Sequence, residues 1–196
     1  MVKIKTMPLG DYQVNCYMVW QDGADTCAII DPGYEAKKVM ETAKQAGKQI
    51  EAILLTHGHF DHVGAVKELA ANTGCKVYLS GEDLSMPEYM TAGALYYTDL
   101  YEDGGVVRAG GVTFQVMHTP GHTPGSVCLI ADECIFSGDT LFAGSCGRTD
   151  FPGGSWKQIQ DSLKQLAALE KNYSVYPGHG ESTTLDNERM YNPYMR

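Results

Sequence analysis

Three histidines and an aspartate fall within six residues in Thr56-His57-Gly58-His59-Phe60-Asp61-His62, directly after the apolar run 50–55. Imidazole nitrogens suit Zn, Fe, Ni and Cu, and a carboxylate oxygen adds harder character, so this mixture points to a borderline transition metal and away from Ca or Mg. His57 and His59, two apart in an extended loop, can turn to one side and share an ion, whereas Asp61 and His62, at the opening of a helix, point elsewhere. One loop can therefore serve two ions. The remaining histidines, His118, His122 and His179, also lie in Gly- or Pro-flanked segments after apolar strands, where core-packing histidines seldom fall. His118, in Met117-His118-Thr119-Pro120-Gly121-His122, is expected to complete a three-histidine set with His57 and His59. Asp139 follows Phe136-Ser137-Gly138 and can bridge both ions with its two oxygens, and His179, in Pro177-Gly178-His179-Gly180, completes the second set with Asp61 and His62.

The elements that must carry these residues are legible from period and punctuation. Strand-like runs at 2–7, 14–20 and 26–30, separated by turns at Gly10-Asp11 and Asp22-Gly23, predict an antiparallel start. Val39, Met40, Ala43 and Ala46 recur at helical spacing, with Gly47 at the stop. The run 50–55 is a buried strand, so the His-rich stretch sits on a strand-to-helix loop; Val63, Val66 and Ala70 mark the next helix, ended near Gly74, and a strand covers 76–79. Segment 81–104 is irregular, with Met86, Tyr89 and Met90 at helical spacing before Gly93, Tyr96, Tyr97 and Tyr101. It reads as a helical hairpin packed on the body or, alternatively, as a lid beside the site. Strands follow at 105–108, 112–117, 126–131 and 133–137, with tight turns at Gly110-Gly111 and Asp132-Glu133. Ser155 and Gln158 form a capping box for a helix whose apolar face is Trp156, Ile159, Leu163, Leu166 and Ala167. A strand at 173–176 and a short helix at 185–191 close the chain, and two β-then-α halves with helices outside suit this order.

Composition narrows the classes. With 196 residues, 43% hydrophobic and 20% charged, the chain can bury a core as one domain, 1–196, without disulfide staples. No run approaches the roughly 18 apolar residues of a membrane span. The N-terminus alternates like a strand and has no apolar h-region, which argues for the cytoplasm. A net charge of −9 with no basic stripe excludes nucleic-acid binding. The six cysteines include no C-x-x-C pair and read as buried thiols, except Cys146, which sits in a Gly-rich loop.

Thr56-His-Gly-His-Phe-Asp-His62, Thr119-Pro-Gly-His122, Gly138-Asp139 and Pro177-Gly-His-Gly180 occur in the order of the metallo-β-lactamase superfamily, and this resemblance spans nearly the whole chain. It implies an α/β fold, a four-layer αββα sandwich with the metals at one edge between the sheets. It also implies the ligand set His57, His59, Asp61, His62, His118, Asp139 and His179, with Asp31 of the Asp-Pro-Gly turn supporting the site. His122 falls in the motif but outside the implied ligand positions, where it would support a ligand from behind or serve the fold alone.

Within the superfamily, Gly138-Asp-Thr-Leu-Phe-Ala-Gly-Ser-Cys-Gly147 followed by Arg148 resembles glyoxalase II, the hydroxyacylglutathione hydrolases. Arg148-Thr149-Asp150-Phe151-Pro152-Gly153-Gly154 and the ending Asn187-Glu188-Arg189 with Asn192-Pro193-Tyr194 are similar to the short bacterial members. With a short stretch after His179, the chain is expected to lack the helical C-terminal domain with which the long enzymes grip glutathione. The resemblance implies a small-molecule thioester substrate such as S-lactoylglutathione, attacked by a hydroxide bridging two divalent ions, with Zn expected and Fe or Mn as alternatives. Asp61 and Asp139 are the catalytic candidates. Arg148 and Cys146 are substrate-contact candidates, and the other reading of Arg148 is an internal salt bridge to Asp150. Cys146-Gly-Arg-Thr-Asp150 also resembles the persulfide dioxygenases, whose single Fe would use the equivalents of His57, His118 and Asp139, so a mononuclear Fe enzyme is the alternative. A non-catalytic metal-binding regulator is a third reading. Secreted β-lactamases are set aside, because they carry a signal peptide and a Cys where this chain has Asp139. A monomer or small homo-oligomer is expected.

Overall fold

The computed structural model describes residues 1–196. Six strands form the first sheet: β1 (Val2–Leu9), β2 (Val14–Gln21), β3 (Thr26–Ile30), β4 (Gln49–Leu54), β5 (Lys76–Leu79) and β6 (Asp99–Leu100), in that spatial order. β1 to β3 pair antiparallel and β3 to β6 parallel. Helix α1 (Ala36–Gln45) makes the crossover from β3 to β4; α2 (Phe60–Val63) and α3 (Val66–Thr73) make the one from β4 to β5.

The second sheet contains β7 (Val106–Ala109), β8 (Val112–His118), β9 (Val127–Ala131) and β10 (Cys134–Gly138), a small hairpin of β11 (Leu141–Phe142) and β12 (Ser145–Cys146) follows, and α4 (Trp156–Ala167) leads to β13 (Ser174–Pro177), β14 (Thr183–Thr184) and α5 (Leu185–Tyr191). The spatial order is β14-β13-β10-β9-β8-β7, with β10 and β13 parallel and the other pairs antiparallel. The two sheets and their outer helices make the expected αββα order.

Three buried layers follow from alternation along the strands. On β2, Cys16 and Met18 face α1 and α3, while Tyr17 and Val19 face the other sheet; on β3, Cys27 and Ile29 divide from Ala28 and Ile30 in the same way. Phe114, Leu129 and Phe136 meet these residues from the second sheet. Ile135 and Cys128 point the opposite way, onto Ile159, Leu163 and Leu166 of α4 and Leu185 of α5. Strands buried on both faces have to be apolar throughout, which is why they read as runs.

Gly110 and Gly111, both at positive φ, make the tight turn between β7 and β8. The Ser155 hydroxyl caps α4 by accepting from Gln158 N–H at 3.4 Å. The helical hairpin expected over 81–104 is not formed. A 3₁₀ turn at Gly81–Ser85 is followed by turns and then β6. Pro87 and the left-handed backbone at Ala92 and Gly93 interrupt the helical spacing, so Met86 and Met90 are buried individually and Tyr89 remains 73% exposed. No helix is long and apolar enough to cross a membrane.

Candidate metal centre

The loops at one edge of the sandwich bring the chemistry together. After β4 the chain runs extended through His57 and His59, and His59, at φ −65 and ψ 147, caps the single turn of α2 that carries Asp61 and His62. From the second sheet come the β8–β9 loop, Asp139 just past β10, and His179 just past β13.

One ring nitrogen each from His57, His59 and His122 forms one tight group, and Asp61, His62 and His179 form another. His122 Nε2 lies 2.8 Å from His59 Nδ1. His179 Nε2 lies 3.2 Å from Asp61 Oδ2, and His62 Nε2 lies 3.8 Å from the same oxygen. Asp139 stands between the groups, with Oδ1 3.5 Å from His62 Nε2 and Oδ2 3.5 Å from His122 Nε2 and 3.8 Å from His179 Nε2.

The groups behind the site fix which nitrogen faces it. His122 Nδ1–H donates to the Arg148 carbonyl at 2.8 Å, and His179 Nδ1–H to the Tyr12 carbonyl at 3.2 Å, leaving both Nε2 lone pairs inward. Asp31 takes the Thr56 N–H at 2.8 Å, the Thr56 hydroxyl at 2.6 Å and His62 Nδ1–H at 3.0 Å, while His57 Nδ1 lies 3.1 Å from the Thr56 oxygen. Asp31 is thus occupied in support, although it also lies close to His57 and His62. Gly178 lets the last loop approach, since a Cβ there would collide with Asp139 Oδ1 and His62 Cε1.

With their Nδ1 atoms engaged behind the site, His57 and His62 keep Nε2 buried without a hydrogen-bond partner, and Oδ1 of Asp139 is buried and unpaired likewise. Each unpaired group costs on the order of 1–3 kcal/mol, a burden that a bound cation removes. His/Asp donors converging in this way fit a borderline divalent metal. Titration follows the same geometry. Burial and the neighbouring imidazoles push His57 well below the usual histidine range, and His59 down to about 3. Burial opposes charge on His62, but Asp139 and Asp31 overcome it and raise the ring to about 9. Burial likewise works against ionised Asp61, yet the His179 hydrogen bond and the His62 charge hold its carboxyl down to about 2.

A family model of the metallo-beta-lactamase superfamily matches residues 9–179. The chain belongs to that superfamily. Hydroxyacylglutathione hydrolase GloC of Haemophilus influenzae is 34% identical, over 99% of this chain and 98% of its own. A solved structure of BLEG-1, a B3 metallo-beta-lactamase, superposes with a TM-score of 0.88 at 34% identity, covering 98% of this chain and 99% of its own. A di-iron-bound form of TTHA1623 gives 0.83 at 39% identity, covering 97% and 99%. The superfamily is one of metallo-hydrolases, and the αββα fold expected from the motifs is the one found.

Within this superfamily fold, six of the seven expected ligands converge; His118 does not. It is still in the β8 ladder opposite Val127, its Nε2–H donates to the Pro124 carbonyl at 2.9 Å and its N–H to Asp103 at 3.1 Å. Its place is taken by His122, for which the motif implies only a supporting or structural role. The turn Thr119-Pro120-Gly121 carries the chain from the strand end into the site, with Gly121 packed against the Ile159 backbone and its carbonyl accepting from Ser155 N–H at 2.8 Å.

A cavity of about 610 Å³ opens over the centre, walled by Tyr12, Phe60, Met90, Phe142 and Phe151 and including Cys146 and Arg148. Arg148 sits on the rim, but its Nε and Nη2 both donate to Asp150 at 2.7 Å and its guanidinium stacks 3.8 Å from the Phe151 ring. The internal salt bridge is therefore formed. All six cysteines are free thiols.

Two positioning residues carry no sequence signal. Asp83, fully buried on the 3₁₀ turn, accepts from Gly58 N–H and Gly125 N–H, both at 2.7 Å, and from the Thr123 hydroxyl at 3.1 Å, tying the His57–His59 loop to the His122 loop. Asn15 Nδ2 donates to the Pro177 carbonyl at 3.0 Å and the Gly180 carbonyl at 2.8 Å, holding the His179 turn. An Asp after Gly-Glu and an Asn inside an apolar run look ordinary until the loops are folded onto them.

Proposed function

We propose that the chain is a metal-dependent hydrolase of small-molecule thioesters, S-lactoylglutathione being the first to test. The observation that carries the reading is Asp139, one carboxylate set between two three-residue donor groups on the floor of an aromatic-walled cavity. The relation to GloC supports the thioester.

His57, His59 and His122 would hold one divalent ion and Asp61, His62 and His179 the other, with Asp139 shared. Zn is the expected metal, and the di-iron relative makes Fe the competitor. Metal held there supplies Lewis acidity toward an acyl oxygen and lowers the pKa of water toward neutrality. Asp61 stays ionised and faces the cavity, so it can accept a hydrogen bond from a water and orient it. Phe60, Phe142 and Phe151 exclude bulk water from the reacting carbonyl. A thiolate leaves without help, so the absence of a Lys or Cys acid at the centre is no obstacle. The six free thiols accord with a cytoplasmic place of action.

BLEG-1 is a specific reason to weigh β-lactam hydrolysis as a second reading, despite the exclusion drawn from Asp139. The deciding experiment gives the metal-loaded protein S-lactoylglutathione, a β-lactam, and glutathione persulfide with O₂ monitored. Thioester hydrolysis alone supports the proposal. Turnover of the β-lactam alone, or O₂ uptake with one Fe per chain, overturns it.

A further inference from the structure

The segment Asn187–Asn192 touches no metal-ligand candidate, yet Glu188 and Asn192 are both 0% exposed. A carboxylate is buried at that depth only with a full set of donors. Glu188 has four. Its Oε2 accepts from the Gly144 backbone N–H and from Asn192 Nδ2, each at 2.8 Å. Its Oε1 accepts from the Thr183 hydroxyl at 2.7 Å and from Asn187 Nδ2 at 3.0 Å. Asn192 Nδ2 also donates to the Ser145 carbonyl at 2.9 Å.

Gly144 is at the tip of the β11–β12 hairpin and Ser145 opens β12; the hairpin pairs Leu141 with Cys146 and Phe142 with Ser145. Two rungs are too few to hold a hairpin in place on their own. Leu141 roots it in the layer under α4 and α5, while Phe142, Ser145 and Cys146 line the cavity. The Phe142 ring centroid lies 6.5 Å from that of His179. The cavity wall nearest the second donor group is thus tied to α5 and its C-cap by one N–H, that of Gly144, and two carbonyls, those of Ser145 and, at 3.4 Å, Phe142.

We propose that Glu188 and Asn192 are positioning residues that fix the Phe142–Cys146 wall of the substrate cavity, and through it the fit of substrate. The kinetic part rests on the thioester reading. The structural part does not.

Three variants separate the clamp from general stability. Glu188→Gln keeps the volume but sets an amide NH₂ among four donors, Asn192→Ala removes the link to Ser145, and Thr183→Val removes a Glu188 partner remote from the hairpin. Amide exchange over 141–147 and alkylation of Cys146 are measured on metal-loaded protein, with half-buried Cys134 as the internal reference. Both rates are expected to rise about fivefold or more in the first two variants and to stay within about twofold in Thr183→Val, with metal content unchanged. KM for the thioester is expected to rise about tenfold with kcat within about twofold. Unchanged exchange and alkylation in both clamp variants overturn the proposal, as does equal loosening in Thr183→Val, which marks a role in stability alone. If Glu188→Gln fails to fold, Asn192→Ala decides. A wild-type chain that hydrolyses no thioester refutes the reaction, and exchange and alkylation then decide the clamp alone.

Discussion

His122 Nε2 faces His59 Nδ1 at 2.8 Å, whereas His118, four residues earlier, gives its own Nε2–H to the Pro124 carbonyl. One histidine is oriented by the Arg148 carbonyl toward the donor cluster, and the other is spent on holding its own loop. His122→Ala is therefore expected to weaken metal binding at that group more than about 100-fold, beyond the cost typical of losing a supporting contact. His118→Ala is expected to keep its metal and lose only about 1 kcal/mol of stability. Metal analysis after dialysis, with thermal unfolding of both variants, checks the pair.

Asp31 accepts three hydrogen bonds and orients His62 through Nδ1. Asp31→Asn keeps the volume but cannot take both the Thr56 N–H and His62 Nδ1–H without turning its NH₂ toward another donor. Metal affinity should fall about 10–100-fold with the fold intact, as read by competition with a chromophoric chelator.

Asp83 joins the Gly58 and Gly125 loops to its own turn through its carboxylate. Asp83→Ala leaves the Gly58 and Gly125 N–H groups without their acceptor, and a loss of about 2–4 kcal/mol of stability is expected, read by denaturant unfolding. The accompanying loss of metal should be partial, because every donor remains.

Stripping the metal should give a stability maximum near neutrality. Burial holds the folded pKa of His57 and His59 below the ordinary 6.5, so their contribution is present above that pH and is lost as pH falls below it, for His59 through about 3. His62 has the opposite sign. Its folded pKa, about 9, lies above 6.5, so its contribution is complete below 6.5 and is lost as pH rises through 9. Chelated protein is expected to melt at its highest temperature near pH 6.5, and metal-loaded protein to lose the decline on the alkaline side. Melting temperatures from pH 5 to 9.5 check both.

Much of the fold and of the centre is legible in the amino-acid sequence. Two-sided burial makes β2, β3, β9 and the second half of β4 read as apolar runs, and the donors at His57, His59, Asp61, His62, Asp139 and His179 stand out by type and spacing. The expectation for His118 fails because the residue ends a strand and has not yet entered the loop. A signal for the right histidine is present: His59, His122 and His179 each follow a glycine, Gly58, Gly121 and Gly178, which permits the close approach that a ligand loop needs. Segment 81–104 misleads because helical spacing over a few residues cannot outweigh Pro87 and a left-handed Ala92-Gly93. Asp83 and Asn15 are illegible because most of their partners are backbone groups distant in sequence, and Glu188 because the one partner that ties it to the hairpin, the Gly144 N–H, is equally remote.

The most direct test is the metal count of the purified chain beside Asp139→Ala. Two ions per chain in the wild type are expected, and one or none in the variant, because removing that carboxylate strips a donor from both groups at once. A wild type that binds a single ion, retained unchanged in Asp139→Ala, would contradict a centre built around Asp139.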